Sequence, residues 1–122
     1  MSRSINIGYR TSRGGTTTDI EIRSPYDLLG TQQTSKRFWS LPVWERLAVT
    51  QLAELGNTDP VYFVGWDMMD DLANEIMLFS QNIAEIDFDA EIKSSWLAHL
   101  VYCYNLLILT APSDSIPEFS IG

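Results

Sequence analysis

The sequence predicts an α+β domain in which about three helices pack on a small sheet, mostly antiparallel or mixed. Three observations lead to this class. Two runs near the start alternate apolar and polar side chains around Gly14–Gly15, the period typical of strands. Three later stretches repeat apolar residues at helical spacing. A short β-branched and aromatic run lies between them, so the expected order is β-β-α-β-α-α-β.

The first two elements are expected to form a β-hairpin. Residues 4–11 and 16–24 each place alternate side chains on one face, and the two glycines between them tolerate the positive φ of a turn. Pro25 ends the second strand. Residues 24–38 have no clear period and predict a loop with at most a short helical turn. The shared-face residues are Ile5, Ile7, Tyr9, Thr18, Ile20 and Ile22.

The cleanest helical pattern spans residues 40–56. Ser40 is a candidate N-cap, Pro42 suits a first turn, and Gly56 suits a left-handed helix end. Five apolar residues recur at helical spacing and predict one continuous amphipathic helix. They are Trp44, Leu47, Ala48, Leu52 and Leu55.

Four further elements complete the predicted domain. Residues 61–66, VYFVGW, favour a strand buried on both faces, which is typical of the middle of a sheet. A second helix is expected from Asp67 to about Asn82, and a third from Asp87 or Asp89 to about Thr110. The end of the third helix is apolar nearly all round, so other elements are expected to cover it on several sides. Residues 115–122 are expected to form the last strand.

Composition restricts the class of protein. The 122 residues are 45% hydrophobic and fit one globular domain, residues 1–122. Cys103 is the one cysteine, which excludes an internal disulfide and favours a reducing, cytoplasmic location. The start of the chain has no apolar run of signal-peptide length, and the most apolar window, residues 96–111, is too short for a membrane span. We therefore expect no membrane association.

The net charge of −8 is unevenly distributed. Residues 1–46 hold seven basic and four acidic residues, a balance of +3, whereas residues 47–122 hold one basic and twelve acidic residues, a balance of −11. Such a surface repels phosphate backbones, so nucleic-acid binding is not expected. It attracts basic proteins and accelerates their encounter.

The stretch VGWDMMDDLANEIMLF, residues 64–79, carries the first acidic run. A helical wheel places its four carboxylates on one face, with the apolar residues opposite. A capped and solvated helix face, a binding face for a basic protein, and a divalent-metal or acid–base site all remain open. The four residues are Asp67, which is also a candidate N-cap, Asp70, Asp71 and Glu75.

A second acidic run occupies residues 84–93. Its carboxylates alternate with Ile86 and Phe88, which suggests a connecting segment that tucks these two side chains inward, or a cap for the third helix. If both runs lie on one side of the domain, they form a patch of eight carboxylates. The carboxylates of this run are Glu85, Asp87, Asp89 and Glu91.

Two pairs of residues are further candidates. Phe38 and Trp39 follow Lys36–Arg37 in a segment expected to be exposed, so they either anchor an interface or close the end of the core. His99 and Cys103 lie four residues apart on the third helix. They form either a nucleophile–base pair, half of a metal site, or ordinary core positions. No second histidine completes a metal site, and we assign no catalytic residue, metal ligand or cofactor.

In overall character the chain resembles the small acidic immunity proteins of bacterial toxin–immunity pairs. The resemblance rests on the domain size, the two acidic runs, the lone Cys103 and the absence of a catalytic motif. It implies a protein that binds a cognate toxin and blocks its active site, and it transfers no functional residue. Two alternatives are a small enzyme or binding domain with a pocket near His99 and Cys103, and a homodimer formed through the apolar third helix.

Overall fold

The computed structural model describes residues 2–12 and 14–122. Within them the α+β class is confirmed, with five strands and four α-helices. Short 3₁₀ helices span Leu52–Gly56 and Ile83–Glu85. The elements are β1 (Ser2–Arg10), β2 (Thr18–Ile20), β3 (Leu28–Thr31), α1 (Gln32–Trp39), α2 (Val43–Arg46), β4 (Val61–Val64), α3 (Trp66–Gln81), α4 (Ala90–Thr110) and β5 (Ile116–Ile121).

The sheet is antiparallel throughout, in the order β2-β1-β5-β4, and β3 also pairs with β1. The predicted hairpin is confirmed, with Ile7 opposite Ile20. Its loop is longer than two residues and includes Gly14 at φ +76°. Arg13, predicted to lie in the same turn, is outside the described residues. The predicted last strand is also confirmed, and β5 occupies the centre of the sheet beside β1.

The predicted central position of residues 61–66 is wrong. Among the described strands, β4 pairs with β5 alone and therefore forms an edge of the sheet. Val61 and Phe63 face the core, whereas Tyr62 is 59% exposed. Alternate residues of this apolar run thus face opposite environments, because a strand directs successive side chains to opposite faces.

The segment predicted as a loop, residues 24–38, instead contains β3 and α1. Thr31 caps α1 by accepting a hydrogen bond from the backbone of Thr34 at 3.2 Å. Gly30 has φ +79°, and a Cβ there would lie 2.4 Å from the Trp96 ring. The close approach of the backbone to this indole requires glycine. The pairing of β3 with β1 and the approach of Gly30 to Trp96 depend on distant residues, which local periodicity does not reveal.

Arg3 connects β1 to two other elements from a fully buried position. Its guanidinium donates to Ser35 Oγ of α1 at 3.2 Å and to the Leu55 carbonyl of the 3₁₀ helix at 2.6 Å. Burial lowers the pKa of Arg3, and the nearby Asp59 carboxylate acts in the opposite direction. A basic residue of the N-terminal part therefore pairs with the acidic part of the same chain, as does Arg10 with Glu118.

The continuous helix predicted for residues 40–56 is wrong. Helix α2 ends at Arg46, and the chain turns at Ala48, which has φ +60°. Ser40 is the C-cap of α1 and not the predicted N-cap. Gly56 ends the 3₁₀ helix Leu52–Gly56 and not a long helix. A Cβ there would lie 2.6 Å from Ser40 Oγ. The glycine permits this close approach.

The break is a Schellman-type helix end. Val49 donates its backbone N–H to the Trp44 carbonyl at 2.9 Å, and Ala48 donates to the Glu45 carbonyl at 3.1 Å. Trp44 and Val49 are both buried, which gives the motif its usual apolar contact. The left-handed position is normally glycine, because a Cβ there costs about 1–2 kcal/mol.

We expect Ala48→Gly to stabilise the protein by about 0.5–1 kcal/mol, because it removes the backbone strain at φ +60°. The greater flexibility of glycine in the unfolded chain offsets part of this gain. The matched control is Ala98→Gly, on the exposed face of α4. It should destabilise the protein by about 1 kcal/mol, because glycine lowers helix propensity. Urea unfolding of the two variants measures both effects. Equal destabilisation would contradict the assigned turn.

Candidate interaction surface

Three of the four carboxylates in the first acidic run are exposed on α3. They are Asp67, Asp70 and Asp71. Asp67 lies in the first turn but is not the predicted N-cap, because Gly65 occupies that position with φ +91°. Among the described residues, none of the three takes part in an ion pair. Their charges are therefore presented to solvent at the N-terminal end of α3.

The expectation that Glu75 belongs to this exposed face is wrong. Glu75 is 4% exposed. Its carboxylate accepts backbone hydrogen bonds from Gln51 at 3.0 Å and from Leu52 at 2.9 Å. Thr50 donates both its backbone N–H, at 3.1 Å, and its hydroxyl, at 3.4 Å. In a continuous helix the N–H groups of residues 50–52 would bond to carbonyls four residues earlier, so Glu75 satisfies the donors freed by the break.

The second acidic run has several roles. Glu85 pairs with Arg46 at 3.1 Å, and Asp89 caps α4 by accepting from the Ile92 backbone at 2.9 Å, which confirms the predicted cap. Asp87 and Glu91 are exposed. The predicted inward positions are also confirmed, because Ile86 is 1% exposed and Phe88 packs on the Phe38 ring.

The two acidic runs do not form one patch. The first lies at the N-terminal end of α3, and the second follows its C-terminal end, as residues 85–91. Ten residue steps along α3 separate Asp71 from Gln81, which corresponds to about 15 Å. With Glu75 buried, the expected patch of eight carboxylates becomes two separate clusters at opposite ends of the α3–α4 hairpin.

Phe38 and Trp39 are not available as interface anchors. Phe38 is 0% and Trp39 1% exposed, so the expectation that this segment is exposed is wrong. The Phe38 ring lies edge-on to Trp44 and Trp96, with centroids 5.3 and 5.1 Å away. The pair lies at the end of α1, where the helix directs both rings into the core.

His99 contacts the first residue of β3, and Cys103 contacts the segment just before this strand. His99 Nδ1 lies 2.7 Å from the Leu28 carbonyl, so this nitrogen carries the proton and donates. Its Nε2 lies 3.3 Å from Ser95 Oγ. The Cys103 thiol donates to the Tyr26 carbonyl at 3.2 Å. Desolvation, together with the charge of Asp27, raises the pKa of Cys103 to about 12. The thiol is therefore neutral at pH 7, and nucleophilic chemistry is not favoured there.

The outer face of α4 carries exposed apolar side chains. Several elements pack against the rest of the helix, where Leu100, Cys103 and Leu107 are fully buried. On the opposite side Val101 is 38% and Leu109 84% exposed. The expected cover on several sides is found for most of the helix, since α3, β1, β3 and β5 all contact α4, but one strip that includes Val101, Asn105 and Leu109 stays exposed. The apolar residues near the end of α4 therefore form an exposed strip as well as a buried stripe.

An apolar groove runs between the outer faces of α3 and α4. A hollow of about 440 Å³ lies between Met77 of α3 and Val101 and Tyr104 of α4. A second hollow of about 550 Å³ adjoins the first along α4 and shares Val101 and Asn105 with it. Its lining includes Ile83 and Tyr26 and no residue of α3, and the two hollows together form the groove. Burial raises the pKa of Tyr104, and the charge of Asp70 raises it further. Asp70 lies about one helical turn before Ala73, which lines the first hollow, so a carboxylate of the first acidic cluster lies near this end of the groove.

The described part of the chain contains no helix long and apolar enough to cross a membrane. Residues 2–12 and 14–122 also contain no group of three or more His, Cys, Asp or Glu side chains arranged to hold a metal ion. No model of a known protein family matches the sequence, and neither the search of curated proteins nor that of solved structures finds a match.

Proposed function

We propose that the protein is a non-enzymatic binding module that recognises a basic protein through the outer surface of α3. The observation that carries this proposal is the group of three exposed carboxylates, Asp67, Asp70 and Asp71, which is free of ion pairs with the other described residues. Charges left unpaired at a surface steer a partner of opposite sign and set the orientation of docking.

The sharpest form of this proposal is an immunity protein that acts in the cytoplasm and covers the basic active-site cleft of a toxin. The acidic balance of −11 over residues 47–122 supports a basic protein partner over a nucleic acid. The buried Cys103, the one cysteine of the chain, supports a reducing compartment.

A homodimer is the second candidate, because Val101 and Leu109 are exposed on α4. Apolar side chains of this kind are typical of the core of an interface. A dimer through this face predicts a mass in solution that rises with protein concentration and falls back in a Leu109→Ser variant. Analytical ultracentrifugation measures both.

Capture from the native host tests the proposed function. The tagged protein should retain one basic protein at low salt and lose much of it near 0.5 M salt, where exposed charges are largely screened. Asp67/Asp70/Asp71→Lys should abolish capture. The matched control, Asp19/Glu21/Glu54→Lys, changes the net charge equally at exposed positions elsewhere. If the control loses the partner as completely, or if the α3 variant retains it, the acidic surface of α3 is not the binding surface.

A further inference from the structure

We infer that the groove between α3 and α4 receives an amphipathic helix of the partner, with its apolar side chains seated between the two helices and basic residues at both of its ends. This inference rests on the proposed function and specifies the partner element that binds. It depends on the shape of the groove, on the chemistry of its floor and on the position of the surrounding charges.

The floor of the groove is uncharged and mostly apolar. The outward stripe of α4 contains no charged residue after Lys93, and its exposed positions are small, amide or aliphatic. Met77 of α3, which is 46% exposed, faces Val101 across the first hollow. Packed helices lie about 8–10 Å apart, and a shallow channel between two of them accepts the ridge of a third. The stripe residues are Ser94, Ala98, Val101, Asn105 and Leu109.

Length supports a helix as the occupant. The lining of the two hollows extends along α4 from Ser94 to Asn105, eleven residue steps or about 17 Å. A partner helix of about 18 residues covers this length and leaves about one turn at each end for basic residues. An apolar stripe at positions i, i+3, i+4 and i+7 is the pattern that such grooves select.

Charge supports basic ends on this helix. At one end of the groove lies Asp70, one turn before Ala73 of the first hollow, and at the other end lies Glu91, one turn before Ser94 of the second. The cation nearest to the second end, Lys93, already donates to the carbonyls of Ile83 and Ile86, at 2.9 and 2.8 Å. Lysine or arginine at both ends of the incoming helix therefore meets exposed carboxylates.

The same charges disfavour a second copy of the chain as the occupant. Both ends of the groove are acidic, so two copies that share this face bring carboxylates together in either a parallel or an antiparallel arrangement. Like charges opposed across an interface cost binding energy. An apolar floor with two acidic ends is complementary to a basic amphipathic helix, and it is not complementary to itself.

A designed peptide tests the inference without the natural partner. The probe is an 18-residue helix with leucine at i, i+3, i+4 and i+7 and lysine at both ends, compared with the same peptide carrying glutamate at the ends. The amide resonances of the ¹⁵N-labelled full chain are followed during titration. We expect the lysine peptide to shift resonances along the outer faces of α3 and α4, and the glutamate peptide to leave them unchanged.

Variants separate the groove from general charge attraction. Met77→Ser/Val101→Ser should weaken peptide binding about tenfold, because it makes the floor polar at positions already half exposed. Asp70→Lys should weaken binding too. Asp19→Lys is its matched control, since Asp19 is exposed on β2, outside both acidic runs. Circular dichroism and thermal unfolding establish that each variant is folded.

Several results would overturn the inference: no binding of the lysine peptide, equal binding of the glutamate peptide, resonance shifts away from the groove, or equal effects of Asp70→Lys and Asp19→Lys. These outcomes are distinct from failure of the proposed function. Suppose that a host partner needs the α3 carboxylates for capture and still binds Met77→Ser/Val101→Ser. That result would support the binding module and contradict the helix-in-groove arrangement. Capture of no partner would contradict the proposed function itself.

Discussion

Glu75→Ala is expected to lower the free energy of unfolding by about 3 kcal/mol. The carboxylate accepts three backbone N–H groups from residues 50–52, and alanine leaves these donors without their acceptor. The Leu52 N–H lies in a buried position, where water cannot replace the lost partner easily. Chemical denaturation of purified variants measures the loss.

Two further variants serve as comparisons for Glu75→Ala. Glu75→Gln preserves the shape but retains one acceptor oxygen, so it should cost less than alanine. Asp71→Ala removes an exposed carboxylate from the same helix and should change stability by no more than about 0.5 kcal/mol. Amide hydrogen exchange at residues 50–52 should accelerate in Glu75→Ala. Unchanged exchange and stability would show that Glu75 does not hold this segment.

Phe38→Ala is expected to destabilise the protein by about 3–5 kcal/mol, the range for removal of a buried phenylalanine ring. Phe38 is fully buried and contacts the rings of Trp39, Trp44 and Trp96, so its loss opens a cavity at the centre of the aromatic cluster. Thermal or denaturant unfolding measures the effect.

The same substitution separates the core role of Phe38 from the interface role that its sequence context suggested. Under conditions where Phe38→Ala remains folded, capture of the partner should equal that of the wild-type chain. The matched comparison is Asp67/Asp70/Asp71→Lys, which should lose capture while remaining folded. Loss of partner binding in a folded Phe38→Ala protein would instead place the ring in the binding surface.

The sequence predicted the parts of the fold that have strong local signals. The alternation in β1 and the last strand, and the periodicity of α3 and α4, are properties of neighbouring residues. The cap of α4 is equally local, since Asp89 bonds to a backbone group only three residues away. Each of these elements has the class and the approximate bounds that its own residues indicate.

The candidate surface was only partly predictable. Asp67, Asp70 and Asp71 are exposed because the helical wheel places them opposite the buried stripe of α3. Glu75 lies about 80° from Asp67 on that wheel, at the border of the polar arc, and its partners lie 23–25 residues earlier in the chain. Local periodicity carries no information about such a distant acceptor role.

The groove shows the same division between local and distant information. The apolar residues of α4 were evident from the sequence, but which side remains uncovered depends on where the sheet, β3 and α3 pack against the helix. Met77 and Val101 are 24 residues apart in the sequence. They line one hollow only because the α3–α4 hairpin folds back on itself.

The sequence by itself determined the α+β class, the hairpin, the two long helices and the acidic character of the second part of the chain, because periodicity and charge are carried by adjacent residues. The tertiary structure decided the break at Ala48, the burial of Glu75, Phe38 and Trp39, and the groove between α3 and α4. The physical reason is competition for partners. A backbone N–H bonds to a distant carboxylate when the local carbonyl is turned away, and an aromatic ring enters the core when other elements close around it.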